Sequence, residues 1–122
     1  MRENSTVSIV NAIMKSPLWS SSVIFISWDD FGGFYDHVAP PQLDAFGLGP
    51  RVPLLIVSPF VKSGYIEHQQ LEFSSVVKFV EEVFGLPFLT SRDTNSNDMF
   101  DAFDFADAPL QPMPLKTHRC GR

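Results

Sequence analysis

Two adjacent carboxylates, Asp29 and Asp30, stand in the stretch ISWDDFGGFYDHVAPP (residues 26–41), directly after an apolar run. Neighbouring carboxylates repel, which raises the pKa of one of them unless a cation offsets the charge; a divalent metal lets both stay ionised. Side chains alternate along a strand, so both reach one ion only where the chain turns. Gly32 and Gly33 permit such a turn. The competing reading is an ordinary solvated acidic turn after a strand.

Three histidines come next. His68, in GYIEH, follows a second apolar run and is expected to approach the same neighbourhood from that strand. His37 reads either as a buried histidine bonded to the loop backbone or as a group facing a bound anion. His118 lies near the end of the chain and is given no role. Arg51 is expected to pair with a nearby acid such as Asp44, and Arg92-Asp93 reads as a salt-bridged turn.

Other chemistries lack their signatures. The sequence holds no G-x-S-x-G elbow, P-loop or dinucleotide fingerprint. Ser20 and Ser21 precede the first strand and Ser22 opens it, at the wrong end of a sheet for a nucleophile. The single cysteine, Cys120, excludes an internal disulfide and a cysteine-based zinc site.

The elements that must position these residues are legible in part. Val7, Ile9, Val10, Ile13 and Met14 recur at helical spacing, with Asn4 or Ser5 as N-cap and an end near Lys15 before Pro17. Ser22–Trp28 reads as a strand buried on both faces, and so does Val52–Pro59. Between them, residues 29–50 form a long loop whose aromatics, Phe31, Phe34, Tyr35 and Phe46, favour order over disorder. Val76, Phe79, Val80 and Val83 mark a second helix, with Ser74 as N-cap and Gly85 as C-cap. From Leu86 onward the chain reads as an irregular segment laying Phe100, Phe103 and Phe105 onto a body, and residues 107–122 as a frayed tail.

This order predicts an α/β architecture in one domain, residues 1–122, with the two strands parallel, because a direct hairpin does not span the connection. Ligands of such sheets bind beyond the carboxyl ends of the strands, where Asp29 and Asp30 fall. Two strands are too few for an independent sheet, so the chain is expected to be a piece of a larger fold.

The chain has 122 residues and a formal charge of −5 with no lysine or arginine cluster, which argues against a nucleic-acid partner. No apolar run is long enough to form a transmembrane segment. The start reads as an amphipathic helix and not as a secretory signal.

Taken together, VNAIMKSPLW, the stretch from VIFISWDD through VKSGYIEH, and SSVVKFVEEVFGLPFLTSRD resemble the C-terminal part of bacterial phosphoesterases of the phospholipase C and acid phosphatase A family. The resemblance implies a fragment of an alkaline-phosphatase-like sheet flanked by helices, with the N-terminal part missing. It implies that Asp29 and Asp30 are ligands of one divalent metal ion, and that His68 lies near the phosphate site. It also implies a phosphoester substrate, phospholipid among the options, and a secreted or periplasmic setting typical of such proteins. The serine or threonine nucleophile of the family, which passes through a phospho-enzyme, is expected in the missing portion, so no catalytic residue is assigned here. The alternative is an inactive truncated fragment that serves at most as a weak metal-binding or association module.

Overall fold

A computed structural model describes residues 2–118. Cys120 lies outside the described residues. The chain divides into two units, one holding residues up to 24, 56–63 and from 103 onward, the other holding 25–55 and 64–102. The elements are helix α1 (Arg2–Met14), a 3-10 turn (Pro17–Ser21), strand β1 (Ile24–Ser27), strand β2 (Leu54–Val57), helix α2 (Phe73–Phe84), helix α3 (Ser91–Asn95) and a second 3-10 turn (Phe100–Ala102). Helices with a small sheet are what the α/β reading anticipated.

The strand direction differs from expectation. β1 and β2 are hydrogen-bonded neighbours, and Ser27 Oγ donates to the Pro53 carbonyl oxygen at 3.0 Å. The last residue of β1 therefore lies beside the entry to β2, and the pair runs antiparallel, not parallel. The physical reason is that the long intervening loop doubles back on itself, which lets it close a hairpin that its length had argued against. Among the described residues the sheet has these two strands and no third.

In the first unit, α1 buries Val10 and Met14 and leaves Ile9 exposed. Asn4 and Ser5, read as N-caps, lie inside the helix, because it already starts at Arg2. Pro17 ends the α-helical path as expected, and Ser16 caps the 3-10 turn by accepting from the Leu18 N–H at 3.2 Å. Residues 110–118, read as part of a fraying tail, run as non-helical chain alongside α1. Asn11 pairs both ways with the backbone of Leu115, each bond 2.8 Å. Asn4 does the same with His118, at 2.6 and 2.9 Å. Two amide side chains thus stand in for a neighbouring strand, satisfying backbone groups that would otherwise need water. The buried Trp19 indole N–H donates to Leu110 O at 3.0 Å, and Phe103 stacks on Phe105 with centroids 5.5 Å apart.

In the second unit the core is built on Phe79 of α2. Its ring meets Phe25 of β1 edge-on at 5.2 Å and Phe100 at 5.0 Å, with Met99 and Ala102 buried in the same unit. Of the late phenylalanines, Phe100 thus packs in this unit, Phe103 is buried in the first, and Phe105 is 56% exposed. The α2 boundary moves by two residues from its expected start. Glu72 is the N-cap and Ser74 sits in the first turn, because Ser75 Oγ accepts the Glu72 N–H at 3.2 Å and closes a capping box. Gly85 ends the helix in the left-handed conformation that glycine adopts without strain, φ 62°.

Candidate functional site

Asp29 and Asp30 follow β1 after one residue, Trp28, and both are exposed. The chain turns directly behind them. Gly32 and Gly33 have φ of 66° and 77°, Phe34 N–H closes on Phe31 O at 3.2 Å, and Asp30 Oδ1 accepts the Gly32 N–H. That is the turn which the adjacent glycines predicted. Asp29 keeps both carboxylate oxygens clear of hydrogen bonds and ion pairs among the described residues, so its charge is available to a ligand.

The loop is held by carboxylates rather than by its aromatics. Asp36 takes three bonds from Arg51: the backbone N–H at 3.1 Å, Nε at 2.8 Å and Nη2 at 2.7 Å. This fork is the bidentate geometry that makes arginine–carboxylate pairs strong. Hydrogen bonding from the Arg51 guanidinium holds the Asp36 carboxyl well below the usual carboxylate range. Arg51 thus pairs with Asp36 and not with Asp44, since the fork closes the foot of the loop. Asp44 accepts the N–H groups of Phe46 and Gly47 at 2.8 and 2.9 Å, and the Phe46 N–H first, then the Arg92 guanidinium, lowers its pKa. Phe34, Tyr35 and Phe46 stay in solvent.

Arg92 is the second organiser. Its Nε reaches Glu72 Oε2 at 2.6 Å, Nη1 pairs with Asp44, and Nη2 donates to Gly47 O at 3.1 Å. A cleft of about 330 Å³ opens between these groups, with Leu43 and Asn95 also on its wall. Two carboxylates, Asp44 and Glu72, offset the Arg92 charge, which disfavours an anion in the cleft. The expected Arg92-Asp93 turn is instead a helix start. Asp93 lies at the third position of α3 and accepts from Thr90 N–H at 2.8 Å and from the Thr90 hydroxyl.

Asp93 and Glu81 form a buried carboxyl pair that was not anticipated. Both are under 5% exposed, at 3% and 4%, and they share the Leu89 N–H at 2.8 and 3.2 Å. Burial, then the charge of Asp93, pushes the Glu81 carboxyl up; the Thr90 hydroxyl chiefly pulls Asp93 down. The two shifts run in opposite directions. Glu81, raised, stabilises the fold below its ordinary pKa and loses that contribution as pH climbs through its folded value. Asp93, lowered, stabilises above its ordinary pKa and loses its share as pH falls through its folded value. The midpoint of thermal unfolding is therefore expected to peak in mildly acidic buffer and to decline toward neutral pH, with Glu81→Gln flattening the decline; a pH series by circular dichroism measures it.

The histidines are not brought to the carboxylates by any described contact. His37 is exposed, with Nδ1 3.9 Å from Asp36 Oδ1, so the buried reading is overturned; the Asp36–Arg51 fork leaves the following residue pointing to water. His68 is exposed as well. Antiparallel pairing sends the chain leaving β2 toward the opposite end of the ladder from Asp29, which removes the shared-end argument for His68.

Carboxylate oxygens suit a hard divalent cation, which takes about six to eight oxygen ligands as calcium and about six as magnesium. Among the described residues no group of three histidine, cysteine, aspartate or glutamate side chains converges to hold one. Two carboxylates alone would supply only part of such a shell. No helix of the described residues is long and apolar enough to cross a membrane.

Comparison with known proteins bears on what such a partial shell belongs to. A model of the Phosphoesterase family matches residues 2–87. The non-hemolytic phospholipase C of Pseudomonas aeruginosa is 28% identical, over 87% of this chain and 20% of its own length. Phospholipase C B of Mycobacterium tuberculosis is 30% identical, over 92% of this chain and 27% of its own. Non-specific phospholipase C1 of Arabidopsis thaliana is 31% identical, over 88% of this chain and 25% of its own. The relatives thus reach beyond bacteria, to which the resemblance had been confined, and the chain spans between a fifth and about a quarter of the length of each. With the Asp-Asp turn and both strands inside the matched stretch, the chain belongs to the Phosphoesterase family.

Proposed function

We propose that this chain supplies the metal-binding strand end of a phosphoester hydrolase of the phospholipase C kind, with a phospholipid-like phosphodiester as substrate. The observation that carries the reading is the pair Asp29-Asp30, exposed on a glycine turn at the end of β1, within the stretch that the family model matches. The names borne by the relatives support the substrate class.

Asp29 and Asp30 would hold one divalent ion together with ligands from polypeptide outside the matched stretch. When bound, such an ion lowers the pKa of a hydroxyl nucleophile and offsets charge on phosphoryl oxygens. The chain's own residues orient. The Gly32 N–H fixes the Asp30 carboxylate, and the Asp36–Arg51 fork anchors the loop that carries both acids. A serine or threonine nucleophile, and the phospho-enzyme it would form, belong to polypeptide that this chain does not span. His68 and His37 remain candidates for the phosphate surroundings, each requiring the loop that carries it to face the substrate.

The test is hydrolysis of a chromogenic phosphocholine ester with magnesium, manganese, calcium or zinc. The chain is assayed alone and mixed with the portion of the Pseudomonas aeruginosa relative that it does not match. No turnover is expected from the chain alone, and chelator-sensitive turnover from the mixture. An inert mixture would overturn the reading. A second reading, a non-catalytic association module, draws on the incomplete ligand set; a mixture that binds without turnover selects it.

A further inference from the structure

We propose that the cleft walled by Asp44, Glu72, Arg92 and Asn95 is a binding site for a small primary ammonium. The site stands apart from the Asp29-Asp30 turn, and its ligand is independent of the hydrolase reading above.

The hydrogen bonds around the cleft use up donors and leave acceptors. Arg92 Nε, Nη1 and Nη2 are engaged by Glu72, Asp44 and the Gly47 carbonyl oxygen. Asn95 Nδ2 donates to Ser91 O and Asn97 Nδ2 to Gln70 O, each at 2.7 Å, and the Ser96 hydroxyl donates to Asp93 O at 2.9 Å. Because both amides donate to backbone carbonyls, neither can be turned end for end without setting oxygen against oxygen. The end left over is therefore an acceptor in each case. Asn95 Oδ1 and Asn97 Oδ1 accept no hydrogen bond among the described residues, and both residues line the cleft.

The charges favour the same kind of ligand. Two carboxylates against one guanidinium leave one negative charge at the wall. The Asp44 side chain is 41% exposed and so within reach of a ligand, while that of Glu72 is only 10% exposed and is little screened by water. Lys78, which reaches Ser96 O at 2.9 Å, is itself matched by Glu82 at 4.0 Å and adds no net charge.

A partner for such walls has to be positive and to donate several hydrogen bonds. A primary ammonium offers three N–H donors and no acceptor. A quaternary ammonium has no donor and is recognised by aromatic faces, and no aromatic ring lines this cleft. The volume of about 330 Å³ lies at the lower end of the range of about 300–1,000 Å³ that holds small molecules. Free amines and the ammonium end of a lipid headgroup share this chemistry.

The test titrates the isotope-labelled 122-residue chain with ethanolamine, choline and phosphoethanolamine at constant ionic strength and follows amide shifts by NMR. Ethanolamine is expected to give saturable shifts centred on residues 43–47, 70–72 and 91–97, and choline a response roughly tenfold weaker, since it donates no hydrogen bond. Asn95→Lys sets an ammonium of the chain's own at the wall and is expected to lower the affinity roughly tenfold or more, whereas Asn95→Asp adds a negative charge and raises it roughly fivefold. Both variants lose the Ser91 bond alike, so effects of opposite sign separate charge from damage to the fold. Phosphoethanolamine binding as tightly as ethanolamine assigns the ammonium to a lipid-type headgroup, and weaker binding assigns it to a free amine. Absence of saturable shifts with ethanolamine, equal shifts with choline, or an affinity that both Asn95 variants leave unchanged overturns the proposal.

Discussion

Asp29→Asn with Asp30→Asn is expected to abolish divalent-cation uptake by the chain and to cut phosphoester hydrolysis in the reconstituted mixture by more than about a hundredfold. Losing groups that merely support metal ligands costs about ten- to a hundredfold, and ligands stand closer to the ion. Asparagine is chosen because it separates charge from shape. Its amide oxygen still accepts the Gly32 N–H that Asp30 Oδ1 accepts in the native turn, so the glycine turn persists while two negative charges vanish. Manganese supplies a readout suited to weak binding: in the native chain it should broaden the amide resonances around residues 28–34, and in the double variant it should not. Asp36→Asn is the contrast. It weakens the Arg51 fork and loosens the loop, so local hydrogen exchange rises while the Asp29 carboxylate stays available. Should cation broadening and hydrolysis persist in the double asparagine variant, these two acids are a solvated turn and nothing more.

How far the site was legible follows from what each residue's signal depends on. The Asp-Asp turn was readable because it is local: two carboxylates, two glycines and the end of an apolar run lie within a few consecutive residues. The Asp36–Arg51 and Asp44–Arg92 pairs were not, since they join positions 15 and 48 residues apart and several acids were equally near in sequence. The pair Arg51 with Asp44 was the wrong choice among them. The Asp93 cap did have a local signal, Thr90-Ser91-Arg92-Asp93, a hydroxyl residue followed three positions later by an acid; reading Arg92-Asp93 as an ion pair hid it. Nothing in the sequence pointed to Glu81 as buried, because a glutamate next to Glu82 on an apolar helix reads as solvated.

The fold was legible in its elements and not in its pairing. Helix α2 announced itself through periodicity and through Gly85, whose left-handed conformation is a backbone requirement. Strand direction depends on where a loop returns, and the loop's return is set by the Asp36–Arg51 fork, which no periodicity encodes. The same limit holds for the face of α2. An apolar stripe predicts that a surface is covered and does not say by what; the stripe of Phe73, Val77, Val80 and Phe84 is uncovered among the described residues.

Phe79→Ala is the substitution expected to cost the most stability. The ring is 4% exposed; Phe25 meets it edge-on at 5.2 Å and Phe100 lies tilted against it at 5.0 Å. Removing a buried phenylalanine costs about 3–5 kcal/mol through lost transfer energy and the cavity left behind. Aromatic pairs of this geometry contribute about 0.5–1.5 kcal/mol beyond their area, which places this site toward the upper end. Small domains are stable by about 5–15 kcal/mol, and one that leaves the apolar face of a helix in water belongs at the lower end. The variant is therefore expected to be largely unfolded at 25 °C or to lose most of its urea midpoint, while Phe79→Leu, which keeps much of the volume, retains a cooperative transition. The effect should also reach the site. Phe25 lies on β1 four residues before Asp29, so releasing its ring frees the strand that presents the two acids. Manganese broadening near residue 30 should then fall in step with loss of structure at α2. A Phe79→Ala chain that unfolds in urea at the native midpoint would show that this aromatic cluster does not hold the second unit together.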